Sequence, residues 1–576
     1  MDPILVSVIA NRLDSITKEI GQTMMRTSRS PIFSEARDFV TAVYDRHLRL
    51  VAQTAYIPVL LAATPWAVRA VFDAYEGDIH DGDVFIVNDP YHGNNHPPDV
   101  TVLRPVFFDD ELCFWSLAKG HHADIGGKGV VGYNPGATSI HDEGIMIPPA
   151  KLYERGKAVR SLWDIILNNV TLKSLVEGDL HCQVGATSVG ERSLKQLLAR
   201  YGIATIEAAV EEILEASDRQ MRQEIERIPD GVYQAESSID NDGVQLDRPI
   251  TIRLTVRISG DQAIFDYSAS DPQVPGFINS PYPNTVSATY LGLFAIADPN
   301  IAHNDGAGRR IQVIAPEGSV INPTYPAPVT ACTVPTAETI VEAVWAALAQ
   351  AVPEKVQAAW SRWCGQTTMG FNPRTGRPFG ELHFMGKGGG GAMKGFDGWG
   401  HLGTVICLGG LRSPDPELHE LLNPYFILQY EYLPDSAGPG EWRGGAGTVY
   451  RWRVDADGLR CANFGSGTLT TTAPFGLEGA AGAPPNKIWI IRDGHRESVE
   501  CNTFPEIRRG DVFEIHASGG GGYGNPRRRE VEKVRADTRD GLVTVEHARK
   551  DYGVALDPKT FTVDAHATTQ LRASTF

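Results

Sequence analysis

Near the start of the chain the apolar residues Ile9, Leu13, Ile16, Ile20 and Met24 recur every three or four positions, so they share one stripe and predict an amphipathic helix. Asp2 is placed to cap it, and Pro3 suits a first turn whose N–H needs no partner. The period then changes. Residues 39–44 and 48–53 read as short β runs joined by the turn Asp45-Arg46-His47. A helix is expected from Leu61 to residue 75, then strands at 83–87, 99–107 and 112–117, each bounded by Asp, Asn, Gly or Pro. Helical spacing returns over 190–228, broken at Gly202.

Three β-like stretches follow at 231–240, 250–258 and 262–267, separated by Pro- and Gly-rich turns, which places a domain boundary near Pro229. Helices are expected at 285–297 and 336–352. The last third reads as strand and turn, with glycine runs at Gly388–Gly391, Gly444-Gly445 and Gly519–Gly522. The expected fold class is α+β, multi-domain, with mainly antiparallel sheets and packed helices. Its units are an α/β domain over 1–229, a central α+β domain over 230–370 and a Gly-rich, β-rich domain over 371–576.

Composition narrows the function. At 576 residues, 42% hydrophobic and 21% charged, the chain has the make-up of a globular protein of about two to four domains. A formal net charge of -17 argues against nucleic acid as a partner, because phosphate contact needs a basic surface. Neither a secretory signal nor a run of apolar residues long enough for a membrane span is expected. Seven cysteines scattered singly, with no Cys-x-x-Cys pair, predict reduced thiols and a cytoplasmic location.

Candidate chemistry gathers in two blocks, Asn88-Asp89-Pro90-Tyr91-His92-Gly93-Asn94-Asn95-His96-Pro97-Pro98-Asp99-Val100 and Gly120-His121-His122-Ala123-Asp124-Ile125-Gly126-Gly127. Two expected strands lie between them, so an antiparallel hairpin returns the second block beside the first. Imidazole with carboxylate suits a borderline divalent ion such as zinc, manganese, iron or nickel, whereas copper(I) would call for thiolates and calcium for oxygen alone; zinc is the first expectation, manganese or iron after it. His96, Asp99 and His121 are the first three ligands. The residues alone leave the fourth open, with Asp38 a candidate because a carboxylate at a strand start is costly to bury unless it binds something. Glu143, in His141-Asp142-Glu143-Gly144, is a candidate acid or base, set against a capping or turn role. Gly386-Lys387-Gly388 fails the phosphate-loop pattern, since glycine follows the lysine, so no nucleotide site is read in this chain.

Asp38 in Ala36-Arg37-Asp38-Phe39, the two histidine blocks, Glu143-Gly144-Ile145 with Ile147-Pro148-Pro149, Pro434-Asp435-Ser436, Trp442-Arg443-Gly444-Gly445 and Gly519–Gly524 together resemble the hydantoinase B / 5-oxoprolinase family, in its order and over nearly the whole chain. The resemblance implies a metal-bearing subunit of an ATP-dependent enzyme acting on cyclic amides. A hydantoinase A-type partner would bind ATP and magnesium and phosphorylate the substrate carbonyl, and one divalent ion on this chain would deliver hydroxide. It implies the ligand set Asp38, His96, Asp99 and His121, with His122 and Asp124 placed to orient ligands or move protons, and a hetero-oligomeric working form. The family also includes ketone carboxylases of the acetone and acetophenone type, which is the alternative function. Asn94-Asn95 stands where the family more often has Gly-Thr, and Ala437 where glycine is common, so substrate contacts are expected to differ from those of the typical member.

Overall fold

The structure is a computed structural model that describes residues 1–60 and 62–573. Helix α1 spans Pro3–Thr27, and the Asp2 carboxylate accepts from the Ile4 N–H at 3.0 Å, a cap worth about 1 kcal/mol. Its expected stripe is fully buried. The expected helix start at Leu61 lies outside the described residues; helix α2 spans Thr64–Ala74.

Seven strands form the first sheet: β1 (Phe39–Asp45), β2 (Leu50–Ala55), β3 (Val84–Val87), β4 (Asp99–Phe108), β5 (Glu111–His121), β6 (Ala150–Glu154) and β7 (Lys157–Ala158), in the order β2-β1-β5-β4-β3-β6-β7. Every pair in it is antiparallel. Helices cover both faces. Val43 and Ala118 pack with α1, while Ala42, Tyr44 and Leu117 pack with α2. That is why β1 reads as a continuous apolar run and not as an alternation.

Helix α3 (Arg160–Asn168) and the first half of α4 (Lys173–Tyr201) depart from the expected pattern, which placed the helix start at residue 190. The reason is physical: α4 is packed against α1 and against β4 and β5, and it buries polar groups that serve distant backbone. Asp179 accepts from the Arg29 and Ser30 N–H groups at 2.7 and 3.1 Å, and Gln183 donates to the Val100 and Ala118 carbonyls at 2.8 and 3.1 Å. Gly202 ends α4 as expected, and α5 continues over Ile203–Glu226.

The second sheet joins β8 (Gly231–Ile239), β9 (Ile250–Ser259), β10 (Gln262–Asp266) and β11 (Ile311–Ile314) in the order β11-β10-β9-β8, with β10 and β11 parallel. Around it lie α6 (Tyr282–Phe294), α7 (Asp305–Gly308) and the almost wholly buried α8 (Pro335–Leu348). A third sheet has the order β13-β12-β16, from Cys364–Asn372 (β12), Arg377–Leu382 (β13) and Arg460–Gly465 (β16); its central strand β12 contains the expected boundary at residue 370. The last has the order β14-β15-β19-β17-β18, from Tyr425–Tyr432 (β14), Thr448–Val454 (β15), Lys487–Arg492 (β17), His495–Ser498 (β18) and Val512–His516 (β19). The protein is thus a multi-domain α+β molecule with mainly antiparallel sheets. Among the described residues no helix is long and apolar enough to cross a membrane.

The glycine runs of the last third meet one another. Gly445 donates to the Gly390 carbonyl at 2.8 Å, Gly520 to Gly445 at 3.0 Å, and Gly438 to Gly520 at 2.8 Å. A β-carbon at Gly520 would overlap the Gly390 carbonyl oxygen, and one at Gly444 would overlap that of Gly520. Only glycine lets three backbones lie this close.

Candidate metal centre

At one end of the β1–β5–β4 row the register sets Phe39 opposite Gly120 and Asp99 opposite His121. The His121 N–H also donates to the Asp38 carbonyl at 3.1 Å. Asp38, His121 and Asp99 therefore stand side by side across adjacent strands. His96 joins them from the loop ahead of β4, through a turn in which the Asp99 N–H donates to the His96 carbonyl at 3.1 Å. Asn94 pins that loop, its amide donating to the Asn88 and His96 carbonyls at 3.1 and 3.3 Å.

His96 Nε2 lies 3.0 Å from Asp99 Oδ1, and His121 Nδ1 lies 3.5 Å from the same oxygen. Ligand atoms of these residues all fall within 4.8 Å of one another, and the side chains are 1%, 0% and 2% exposed for His96, Asp99 and His121. Yet His96 Nε2, both Asp99 carboxylate oxygens and His121 Nε2 have no aligned hydrogen-bond partner among the described residues. His96 Nδ1 donates to the Thr330 carbonyl at 2.5 Å, an atom that only accepts, so a proton sits on Nδ1 and Nε2 is the nitrogen that faces Asp99, with a lone pair whenever the ring is neutral. Acceptor facing acceptor at 3.0 Å is repulsive unless a cation or proton stands between them. The donor set fits a borderline divalent ion.

Asp38 lines the same cavity, where it is partly accessible, but stands outside the close cluster of the other three. Burial pushes its carboxyl up to about 6, with His121 opposing and Asp99 adding to the rise. At Asp99 burial also works against the charge, but His96 and His121 outweigh it and hold the carboxyl well below the usual carboxylate range. The cavity encloses about 40 Å³, room for an ion and very few waters, behind walls that include Val59, Trp363 and Phe384. His121 stacks on Tyr133 with centroids 5.7 Å apart, and Tyr133 on Phe464 of β16 at 3.8 Å.

The other expected site residues lie elsewhere. His122 turns away from the cavity: its Nε2 donates to Gln183 Oε1 of α4 at 2.8 Å, and burial pushes its ring down to about 4. Asp124 is bonded to backbone, accepting from Gly126 at 2.8 Å and from Thr171 and Leu172 at 2.6 and 2.7 Å, which ties the loop after β5 to the start of α4. Glu143 accepts from the Val329 and Thr330 N–H groups at 3.0 and 2.8 Å. It therefore holds the carbonyl that orients His96, and touches neither His96 nor the cavity wall.

Two contributors were missed by sequence reasoning. Lys119 is fully buried two residues before His121, hence on the same strand face, and its Nζ donates to Asn95 Oδ1; period-two alternation could have flagged it. Burial pushes its amine down to about 8. Thr330 acts through its backbone, for which no side-chain signal exists.

Glu143 makes one testable contribution to stability. Burial pushes its carboxyl from 4.5 up to about 8 against the pull of its hydrogen bonds, so the folded chain keeps a proton there that the unfolded chain releases. Stability from this group is full below about 4.5 and is lost as pH rises through about 8. The apparent Tm of ion-free protein is expected to fall between about pH 5 and 8, and to fall less steeply in Glu143→Gln. Equal slopes by scanning calorimetry would clear Glu143 of that role.

A multi-domain α+β chain with a buried cluster of two imidazoles and a carboxylate at one sheet end is the class that fold and site define. The chain belongs to the hydantoinase B/oxoprolinase family, whose model matches residues 2–526. It is 37% identical over 568 residues to the caprolactamase subunit beta of Pseudomonas jessenii, covering 97% of each chain. The crystal structure of the ATP-dependent caprolactamase of Pseudomonas jessenii superposes with a TM-score of 0.93 at 36% identity, over 100% of both chains. A nucleotide-free acetone carboxylase structure also gives a TM-score of 0.93, over 100% of this chain and 83% of that one; at 20% identity it shows a shared fold.

Proposed function

We propose that this chain is the metal-bearing subunit of a cytoplasmic, ATP-dependent cyclic-amide hydrolase, acting on a hydantoin, lactam or oxoproline-type ring. The observation that carries the reading is the buried convergence of His96, Asp99 and His121, with His96 Nε2 3.0 Å from Asp99 Oδ1 and ligand atoms of all three within 4.8 Å of one another. Asp38, Asp99, His96 and His121 would hold one divalent ion, zinc first and manganese or iron after it. Such an ion supplies Lewis acidity and lowers the pKa of its water from about 15.7 to about 7.

The chain's own residues do the rest. Thr330 and Glu143 keep His96 in the tautomer that presents Nε2. The apolar walls keep bulk water from an activated substrate. An amide carbonyl is a poor electrophile, so a hydantoinase A-type partner is proposed to bind ATP and magnesium and phosphorylate the carbonyl oxygen first. The stretch around Lys387 supports that division of labour, since Lys387 Nζ donates to the Leu411 carbonyl at 2.9 Å and the glycines after it are bonded to other backbone. The similarity to a caprolactamase subunit beta favours amide opening over ketone carboxylation.

The test is an assay of the chain co-purified with its ATPase partner, on caprolactam, hydantoin and 5-oxoproline. ATP-dependent ring opening is expected to vanish after chelation and to return with a divalent salt. Undiminished turnover by protein shown by elemental analysis to be ion-free would exclude the metal. Turnover of acetone with bicarbonate, without amide opening, would favour the carboxylase.

A further inference from the structure

The metal cavity is closed. Every residue that lines it except Asp38 is buried, and it encloses about 40 Å³ against about 300 Å³ or more for a typical small-molecule pocket. A cyclic amide reaches His96, Asp99 and His121 only if a wall moves.

The walls are not held alike. Trp363, Leu382, Phe384 and Phe464 lie in or beside strands of the third sheet, and Val334 leads into α8. Val59 is tied down through its carbonyl, which accepts from Ser287 Oγ of α6 at 2.6 Å and from Asn95 Nδ2 at 3.3 Å. Residues 404–410 differ. Thr404, Ile406 and Cys407 face the cavity, whereas Leu408, Gly409 and Gly410 form an exposed turn. The backbone of this stretch bonds to itself: the Cys407 N–H donates to the Thr404 carbonyl at 3.1 Å, Leu408 to Val405 at 3.0 Å and Gly410 to Cys407 at 2.8 Å. Among the described residues no backbone hydrogen bond joins it to another part of the chain. A segment bonded in this way opens locally at far less cost than global unfolding.

Both flanks of the stretch meet one fixed strip, the Gly386-Lys387-Gly388 run that fails the phosphate-loop pattern. The Gly403 N–H donates to the Gly388 carbonyl at 3.2 Å, and Lys387 Nζ donates to the Leu411 carbonyl at 2.9 Å. Lys387 is buried and has no carboxylate partner among the described residues, so that carbonyl is what its amine is spent on. Gly403 and Gly409, at φ 100° and 80°, occupy the left-handed region that suits a hinge. On the inner face the Thr404 hydroxyl donates to Glu338 Oε1, which also accepts from the Trp363 N–H of the fixed wall at 3.0 Å.

We infer that residues 404–410 are the flap through which the cyclic amide enters, and that Lys387 is the positioning residue that latches it shut. That use rests on the ring being opened in this cavity; the movement of the flap does not.

Cys407, on the inner face, reports the opening. The full chain is treated with N-ethylmaleimide, without ATP, partner or substrate, and each cysteine is followed by peptide mass spectrometry. Cys407 is expected to react well ahead of Cys332, which is equally buried beside a fixed wall. In Lys387→Met, which removes one hydrogen bond from a charged donor, the Cys407 rate is expected to rise about tenfold, with the Cys461 rate and the Tm unchanged. Burial pushes the Cys407 thiol up and Lys387 pulls it back, so loss of the amine alone would slow the reaction, and a faster one reports access. Hydrogen exchange of the parent gives a second reading: the amides of Cys407, Leu408 and Gly410 are expected to exchange together and ahead of those of β12. Cys407 reacting no faster than Cys332, or flap amides as slow as those of β12, overturns the flap. A variant rate equal to the parent's, or an acceleration shared by Cys461, overturns the latch. Labelling as expected in a chain whose partnered form opens no lactam would refute the use for substrate alone.

Discussion

Asp99→Ala is expected to abolish ion retention and to reduce ring opening by at least about a thousandfold, some 4 kcal/mol of transition-state stabilisation. The carboxylate faces both imidazoles at once, at 3.0 Å from His96 and 3.5 Å from His121, so neither ring keeps a partner for a shared cation when it is removed. Stability gives an independent sign. In ion-free protein the variant loses a buried carboxylate that His96 and His121 hold in its charged form, so its Tm is expected to fall below that of ion-free parent. Divalent salt should then raise the parent's Tm through preferential binding to the folded state and leave the variant's unmoved. Thermal scans with elemental analysis check both arms. A variant that still carries one ion per chain and turns over substrate sinks the assignment.

Gly520→Ala is expected to cost more than about 4 kcal/mol, an exceptional loss for the addition of a single methyl group. The added methyl would overlap the Gly390 carbonyl oxygen. Residue 520 cannot back away, because its N–H is bonded to Gly445 at 3.0 Å and its carbonyl to Gly438 at 2.8 Å. Gly185→Ala is the control, since this glycine lies within α4 and no atom stands within 4 Å of the added carbon. Helix propensity makes that change neutral or stabilising by about 0.5–1 kcal/mol. Soluble yield and apparent Tm of the two variants should diverge sharply; near-equal values would mean that the glycine runs are not held as tightly as their hydrogen bonds require.

How far the sequence could be read depended on how each element is buried. α1 hides a single stripe, so its period showed. α4 is packed against α1 and against strands of the first sheet and spends Asp179 and Gln183 on distant backbone, which blurred its first half. The β4–β5 hairpin was legible because Asp99 and His121 lie in neighbouring blocks of sequence joined by two alternating strands. His122 lies on the other face from His121, since neighbours along an extended chain alternate, and it bonds to Gln183 without lining His121's cavity. Asp124 and Glu143 are buried carboxylates that satisfy backbone N–H groups, a use that composition does not distinguish from acid–base chemistry. The walls drawn from Trp363, Phe384 and Phe464 carry no local signal, because they come from the later sheets.

The row of donors across three neighbouring strands has a consequence for how the protein matures. Pairing of β1 with β5 and β5 with β4 must be complete and in register before Asp38, His121 and Asp99 converge, and the carbonyl that aims His96 arrives from a segment far downstream. A nascent polypeptide owns no such pocket at any earlier stage. Loading of the proposed ion would therefore be the final act of biogenesis, performed on a finished scaffold.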